Sequence, residues 1–153
     1  MKKNQNYSLY IFTVFSSVYF LICFSFKYFV HNISLNNFIL DFYLVKNTGA
    51  AFSAFEGFNR FLAVFAALVS FGVVCWVVKN RFKIAILGLQ ASSFLLAGIC
   101  SNMTERFLDG YVSDYIRLRF IDFPIFNLAD IFINIGVILF VCLILFEKRE
   151  INE

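Results

Sequence analysis

The stretch Phe126-Asn127-Leu128-Ala129-Asp130 sets an amide and a carboxylate at the mouth of the chain's last long apolar run, Phe123 to Phe146. An ionisable side chain at the edge of hydrocarbon is costly unless paired, so it marks a functional site with a partner to be found. The nearest acidic partner along the chain is Asp114. Two carboxylates brought together at a membrane surface can share one proton and activate water, the chemistry of an aspartic dyad. Asn127, Asp130 and Asn134 stand at i, i+3 and i+7, so a helix projects all three from one face. Hydrogen bonding between helices suffices as a role for Asn134 but explains a carboxylate poorly. Taken alone, Asp114 reads first as a solvated loop carboxylate.

The elements that must position these residues are set by composition. The 153 residues are 61% hydrophobic, 20% aromatic and 15% charged, with a mean hydropathy of +0.79. That excludes a water-soluble domain of this size and implies an integral membrane protein. Uncharged runs extend from Tyr7 to Phe26, Phe61 to Val78 and Ile84 to Thr104, and the last run is interrupted only by Asp130. About 20 helical residues span the roughly 30 Å of hydrocarbon, so each run can cross. The expected fold is an all-α membrane protein, a four-transmembrane-helix bundle. Its spans cover about 7–30, 60–78, 84–104 and 124–146, in one integral membrane domain over 1–153. Continuous rather than alternating apolar runs argue against a β-barrel.

The basic start with Lys2 and Lys3 resembles a cleavable signal peptide, but the following run has 20 residues and no A-x-A-like site, so it reads as a retained first span. Seven of the thirteen basic residues (Lys2, Lys3, Lys79, Arg81, Lys83, Lys148, Arg149) fall in three short segments on one face. Both termini are therefore expected on the cytoplasmic side. Loops 31–59 and 105–123 then share the outer face with Asp114 and Asp130. In those loops, 38–45 and 116–120 read as short strands, which could form a small sheet on the outer face where water satisfies an open edge. Cys23, Cys75, Cys100 and Cys142 form no C-x-x-C pair and read as small buried hydrophobes. The single histidine, His31, has no second ligand at metal spacing.

Several smaller motifs flank the acids. In Asp109-Gly110-Tyr111-Val112-Ser113-Asp114 the glycine supports a turn that aims Asp114 back toward the fourth helix. Pro124, the only proline, stands just before that helix, where a missing N–H costs nothing. Asn102 and Arg106 are i, i+4 neighbours beside Glu105, and read as a structural charge network in which Arg106 anchors the helix at the headgroups or keeps an acid ionised. Asn47-Thr48-Gly49-Ala50-Ala51-Phe52 allows close approach of a substrate backbone, while small residues also serve plain helix contact. There is no H-E-x-x-H and no G-x-S-x-G, so acid chemistry remains.

With these residues in hand, the chain resembles the signal peptidase II family of bacterial inner-membrane aspartic proteases. Lys46 to Phe52 is similar to that family's N-x-G-A-a-F loop, Asn102 to Arg106 to its G-N-x-x-D-R, Gly110 to Asp114 to its G-x-V-x-D, and Phe126 to Asp130 to its F-N-x-A-D. The resemblance implies that Asp114 and Asp130 are the catalytic dyad, with Asn47, Gly49, Asn102, Arg106, Asn127 and Ala129 binding substrate or supporting the site. It further implies a periplasmic active site in the inner membrane, with prolipoprotein signal peptides bearing a lipid-modified cysteine as substrates, membrane lipid as surroundings, and neither metal, organic cofactor nor nucleic acid. A monomer is the default expectation. Three departures touch the supporting network. Cys23 stands four residues before the first-span Lys27, where the family carries an acid; Ser101 replaces a glycine; Glu105 replaces an aspartate. Two rivals make different demands: a small transporter or proton relay using Asp130 needs acids deeper in the spans, and a noncatalytic assembly subunit needs neither acid.

Overall fold

Backbone amides in hydrocarbon must bond within their own segment, so long apolar runs become helices. The computed structural model describes residues 6–31, 39–50 and 54–152. Its elements run α1 (Tyr7–His31), β1 (Leu40–Asn47), α2 (Asn59–Asn80), α3 (Ile86–Leu108), β2 (Val112–Leu118) and α4 (Leu128–Asn152). Among the described residues, four stretches are long and apolar enough to cross a membrane: Tyr7–Val30, Asn59–Asn80, Ile86–Leu108 and Leu128–Phe146. The expected bundle with a small sheet is therefore present. Lys2, Lys3, Phe38, Ala51 and Phe52 lie outside the described residues.

Two boundaries differ from the hydropathy reading. The third run ends by charge at Thr104, yet α3 continues through Glu105 and Arg106 to Leu108, because both side chains find partners among their neighbours. The last run begins by hydropathy at Phe123, yet α4 starts only at Leu128. Pro124 disfavours helix in the residue before it, and Phe126 instead exchanges backbone hydrogen bonds with Ile116. The strands occupy 40–47 and 112–118 rather than 38–45 and 116–120, so Asp114 sits on a strand and not in a loop. Gly110, at φ +78°, makes the reversal between α3 and β2, a left-handed conformation that glycine adopts without a Cβ penalty.

α3 is the central helix, packed against α1, α2 and α4. Half of its apolar window is buried inside the protein, against 11–17% for the other three. Its inward residues are small, including Gly88, Ala91, Ser92, Ser93, Ala97, Gly98 and Ser101. In a bilayer, where lipid competes equally for apolar side chains, close backbone approach through small residues drives helix association. A Cβ on Gly98 would collide with the Ala129 carbonyl and with Ile133 Cγ1 at 2.7 Å, and one on Gly136 would meet Ala91 O at 2.8 Å. Tyr19 ties α1 to α3: its hydroxyl donates to Gln90 Oε1 at 2.6 Å, and its ring stacks on Phe94 with centroids 4.2 Å apart. The large exposed side chains, such as Phe65, Leu68 and Phe71 on α2 and Ile138 and Leu145 on α4, face outward, as lipid-facing positions do. All four cysteines are free thiols, but Cys23 alone is buried, Cys100 and Cys142 are half-buried and Cys75 is exposed, which corrects the expectation that all four are buried: α2, which carries Cys75, packs mainly against α3, so much of its surface has no protein cover.

Gly98→Ala should lower stability by about 1–3 kcal/mol through forced separation of α3 and α4. Gly72→Ala, where an added Cβ meets nothing within 4 Å, should be neutral or slightly stabilising. Thermal unfolding in detergent compares the two, and equal behaviour would refute the close α3–α4 contact.

Candidate active site

Asp114 is placed by the two-stranded antiparallel sheet. β1 pairs with β2 in the register Phe42↔Ile116 but Val45↔Asp114, with an irregularity between. One extra residue therefore sits in β1, leaving Tyr43 and Leu44 opposite Tyr115. Side chains alternate faces along a strand, so a one-residue slip exchanges the faces. The extra residue puts Asn47, two positions beyond Val45, on the same face as Asp114. Asn47 Nδ2 donates to Asp114 Oδ2 at 2.8 Å, while its Oδ1 accepts from Gly49 N at 2.9 Å. The loop 47–49 is thus an Asx turn, and Asn47 ties it to Asp114. An apolar cluster of Val30, Tyr115 and Ile116, with Phe26, Phe42 and Phe126, seats the sheet on the ends of the helices.

Asp130 is placed by the start of α4. The Phe126–Ile116 bridge lays Asn127 beside β2. Asn127 and Asp130 then form a reciprocal cap: Asp130 N donates to Asn127 Oδ1 at 3.0 Å, and Asn127 N donates to Asp130 Oδ2 at 3.0 Å. This is the capping-box pattern, in which side chains satisfy amides that a helix start leaves unbonded. Leu128 N donates to Tyr115 Oη at 3.1 Å, another such amide satisfied from β2. Asn127 Nδ2 has two hydrogens left and uses both, donating to Asp114 Oδ1 at 2.9 Å and to Asn102 Oδ1 at 3.1 Å. Asn102 Nδ2 in turn donates to Asp130 Oδ1 at 2.8 Å. Both carboxylates therefore hang on one residue, Asn127, which is itself only 2% exposed.

Arg106 bonds backbone carbonyls rather than an acid. Its Nη2 donates to Gly49 O at 2.9 Å and its Nη1 to Asn102 O at 3.5 Å. It clamps the Asx turn to α3 and sets a positive charge within electrostatic reach of both acids. Asp114 is 4% exposed. Burial pushes its carboxyl up from 3.8 to about 6, and the nearby Asp130 charge adds to this, against the opposing pull of the Asn47 and Asn127 hydrogen bonds and of Arg106. Neutral amides hold the pair, an arrangement in which one shared proton can persist.

The structure gathers Asp114, Asp130, Asn47, Gly49, Asn102, Arg106 and Asn127 into one hydrogen-bonded cluster. Ala129, 3% exposed, supports the cluster from below as the close-contact partner of Gly98. Asn134 is exposed, which corrects the polar-stripe reading: α4 lies mainly against α3, and no neighbouring helix covers that position. Residue type alone does not single out Tyr115 or Lys27. An aromatic in a strand and a lysine at a span end carry no chemical signal until Leu128 N and Glu105 are seen beside them. The signal for the cap was present, since Asn followed three residues later by an acid at a helix start is a capping pattern. Among the described residues no group of three or more His, Cys, Asp or Glu is arranged to hold a metal ion.

Fold and site together define a four-span membrane protein with a paired-carboxylate centre at one end of the bundle. The sequence pattern of the family described as Signal peptidase (SPase) II matches residues 15–146, a stretch that contains every residue of the cluster. The chain belongs to that family. It is 45% identical over 104 residues to a lipoprotein signal peptidase of Microcystis aeruginosa, covering 65% of this chain and 64% of that protein. It is 42% identical over 105 residues to one from Enterococcus faecalis, covering 68% and 65%. In both cases the match thus spans a little under two thirds of the relative's length. A solved structure described as a bacterial membrane enzyme superposes with a TM-score of 0.80 at 26% identity, over 90% of this chain and 88% of the other.

Asn127→Asp should keep the cap acceptor but lose both donors and set oxygen against Asp114 and Asn102; a destabilisation of about 1–3 kcal/mol is expected, and unchanged thermal unfolding would contradict the bonding described. The folded state holds the Asp114 proton more tightly than the unfolded chain, so the stabilisation is complete below about pH 4 and is lost as the pH rises to about 6. Between pH 7.5 and pH 5 the wild type should gain about 1 kcal/mol more than Asp114→Asn. Parallel pH dependences of thermal unfolding in the two proteins would refute this.

Proposed function

We propose that this protein is an aspartic endopeptidase of the membrane interface that removes the signal peptide from prolipoproteins carrying a diacylglyceryl-modified cysteine. The observation that carries the reading is the attachment of two carboxylates to a single asparagine, through Asp114 Oδ1 to Asn127 Nδ2 and Asp130 Oδ2 to Asn127 N. Family membership supplies the substrate class.

In this mechanism the pair holds one proton. The ionised acid takes a proton from water while the protonated acid donates to the scissile carbonyl, and a tetrahedral intermediate forms between them. The two acids titrate as a unit, so the base and acid roles belong to the pair. Asn47, Asn102 and Asn127 keep both carboxyls in one geometry through the cycle. Arg106 counters the single negative charge that the pair carries throughout. The signal peptide lies along the helices while its lipid chains stay in the bilayer, which brings the cleavage point to the sheet end of the bundle. That end is read as the outer, periplasmic face of the inner membrane, with both termini cytoplasmic and the protein acting as a monomer in one membrane domain.

A transporter or proton-relay reading finds less support. Every charged residue within the four apolar stretches (Lys27, Arg60, Lys79, Glu105, Arg106 and Asp130) lies close to a span end, whereas a relay needs ionisable groups near the midplane.

Purified protein in detergent or liposomes should cleave lipidated precursor and leave unlipidated precursor intact. Asp114→Asn and Asp130→Asn should each reduce cleavage by at least about 10³-fold while inserting normally into membrane, as expected when a dyad member is lost. Near-normal processing by either variant would remove that residue from the mechanism.

A further inference from the structure

The reading of Asp114 as catalytic raises the question of what fixes the strand that carries it. Glu105 sits on the last turn of α3, 5% exposed. Its Oε2 accepts a hydrogen bond from Ser113 N at 2.8 Å, the amide of the residue directly before Asp114. The same oxygen lies 3.8 Å from Lys27 Nζ of α1. Lys27 Nζ is also 3.4 Å from Asp109 Oδ2 and rests over the rings of Phe24 and Tyr28, at 4.9 and 5.2 Å from their centroids. Cys23, one turn before Lys27 and buried, brings no charge. The counter-charges to this lysine therefore come from the end of α3.

We propose that Glu105 is a positioning residue of the reaction: its carboxylate, balanced by Lys27, pins the Ser113 amide and thereby holds Asp114 at bonding distance from Asn127. The bond is charge-assisted, and such bonds are shorter and stronger than those between neutral groups. Its target is a backbone atom, so it fixes the strand itself rather than a side chain free to rotate. Its chain position is also one residue from Arg106 and three from Asn102, so a single helical turn presents the restraint on Asp114, the clamp on Gly49 and the donor to Asp130. The side-chain length matters. Glutamate reaches both Ser113 N on β2 and Lys27 on α1 from α3, and joins three elements that the Gly110 turn alone would leave loosely related. Lys27 keeps the added negative charge from acting on the neighbouring acids, since a like charge left unbalanced would disfavour ionisation of the pair.

The proposal rests on Asp114 being catalytic, and its test separates the two. Glu105→Ala removes both interactions; Glu105→Gln keeps an oxygen able to accept from Ser113 N but carries no charge. Hydrogen exchange of the 110–117 segment, followed by mass spectrometry in detergent, reports the restraint directly. Glu105→Ala should exchange at least tenfold faster there while α1 and α4 exchange as in the wild type, and Glu105→Gln, which keeps the acceptor without its charge, should fall between the two. In the cleavage assay, Glu105→Ala should lower kcat at least tenfold with KM within twofold, and Glu105→Gln should recover part of that loss. Unchanged exchange in Glu105→Ala would overturn the positioning role whatever the activity. Faster exchange throughout the helices of Glu105→Ala, not recovered by Glu105→Gln, would likewise overturn it by making Glu105 a general structural residue. A wild type that shows the expected exchange pattern but cleaves no lipidated precursor would defeat the proposed function and leave the restraint standing.

Discussion

Burying two carboxylates at the end of an apolar bundle is costly unless hydrogen-bond donors reach them, and the choice of donors governs what the pair can do. Among the described residues, every hydrogen bond to the Asp114 and Asp130 carboxylates comes from an amide: side-chain amides of Asn47, Asn102 and Asn127 and the backbone amide of Asn127. Amides compensate desolvation without the strong bias toward ionisation that a bonded lysine or arginine would impose. The one nearby arginine spends its guanidinium on carbonyls of Gly49 and Asn102. The acids are thereby held firmly and left able to keep a proton.

This requirement explains features that otherwise look unrelated. An asparagine that donates twice, accepts once and caps a helix must lie where β2, α3 and α4 meet, and the Phe126–Ile116 bridge delivers it there. The extra residue in β1 turns Asn47 to the correct face. Asn102 reaches Asp130 only because Gly98 and Ala129 let α3 and α4 approach. Moving any of these would take a donor away from a buried carboxylate, and an unsatisfied buried charge is penalised far more than a single lost surface contact.

Hydropathy made the four spans legible, because each is a run long enough to cross hydrocarbon. Residue type and spacing singled out Asp130, and the family resemblance, rather than spacing, raised Asp114 from a loop carboxylate to its partner. What stayed hidden depended on register and on bonding across distant segments. Composition does not mark the extra residue between Phe42 and Val45. Hydropathy starts α4 at 124 because phenylalanines at 123 and 126 look the same to it in helix or strand. Asn134 followed the helical spacing but not the burial, since periodicity says which residues share a face and not whether a neighbour covers it. Glu105 and Lys27 lie 78 residues apart along the chain, and nothing local pairs them.

The polar character of α3 then has a physical reading. It is the helix with half its window buried, and it carries Gln90, Ser92, Ser93, Ser101 and Asn102 within its apolar stretch. On a lipid-facing helix those groups would lack partners; between helices Gln90 meets Tyr19, Ser93 meets the Phe12 carbonyl at 3.4 Å, and Asn102 meets Asp130. The same central position that lets α3 tolerate polar residues gives it access to α1, α2 and α4 together. Only such a helix can present, within a single turn at its end, groups directed to three other elements. Placing the acids around the end of the most buried helix is therefore a consequence of where polar groups can be satisfied in a small bundle.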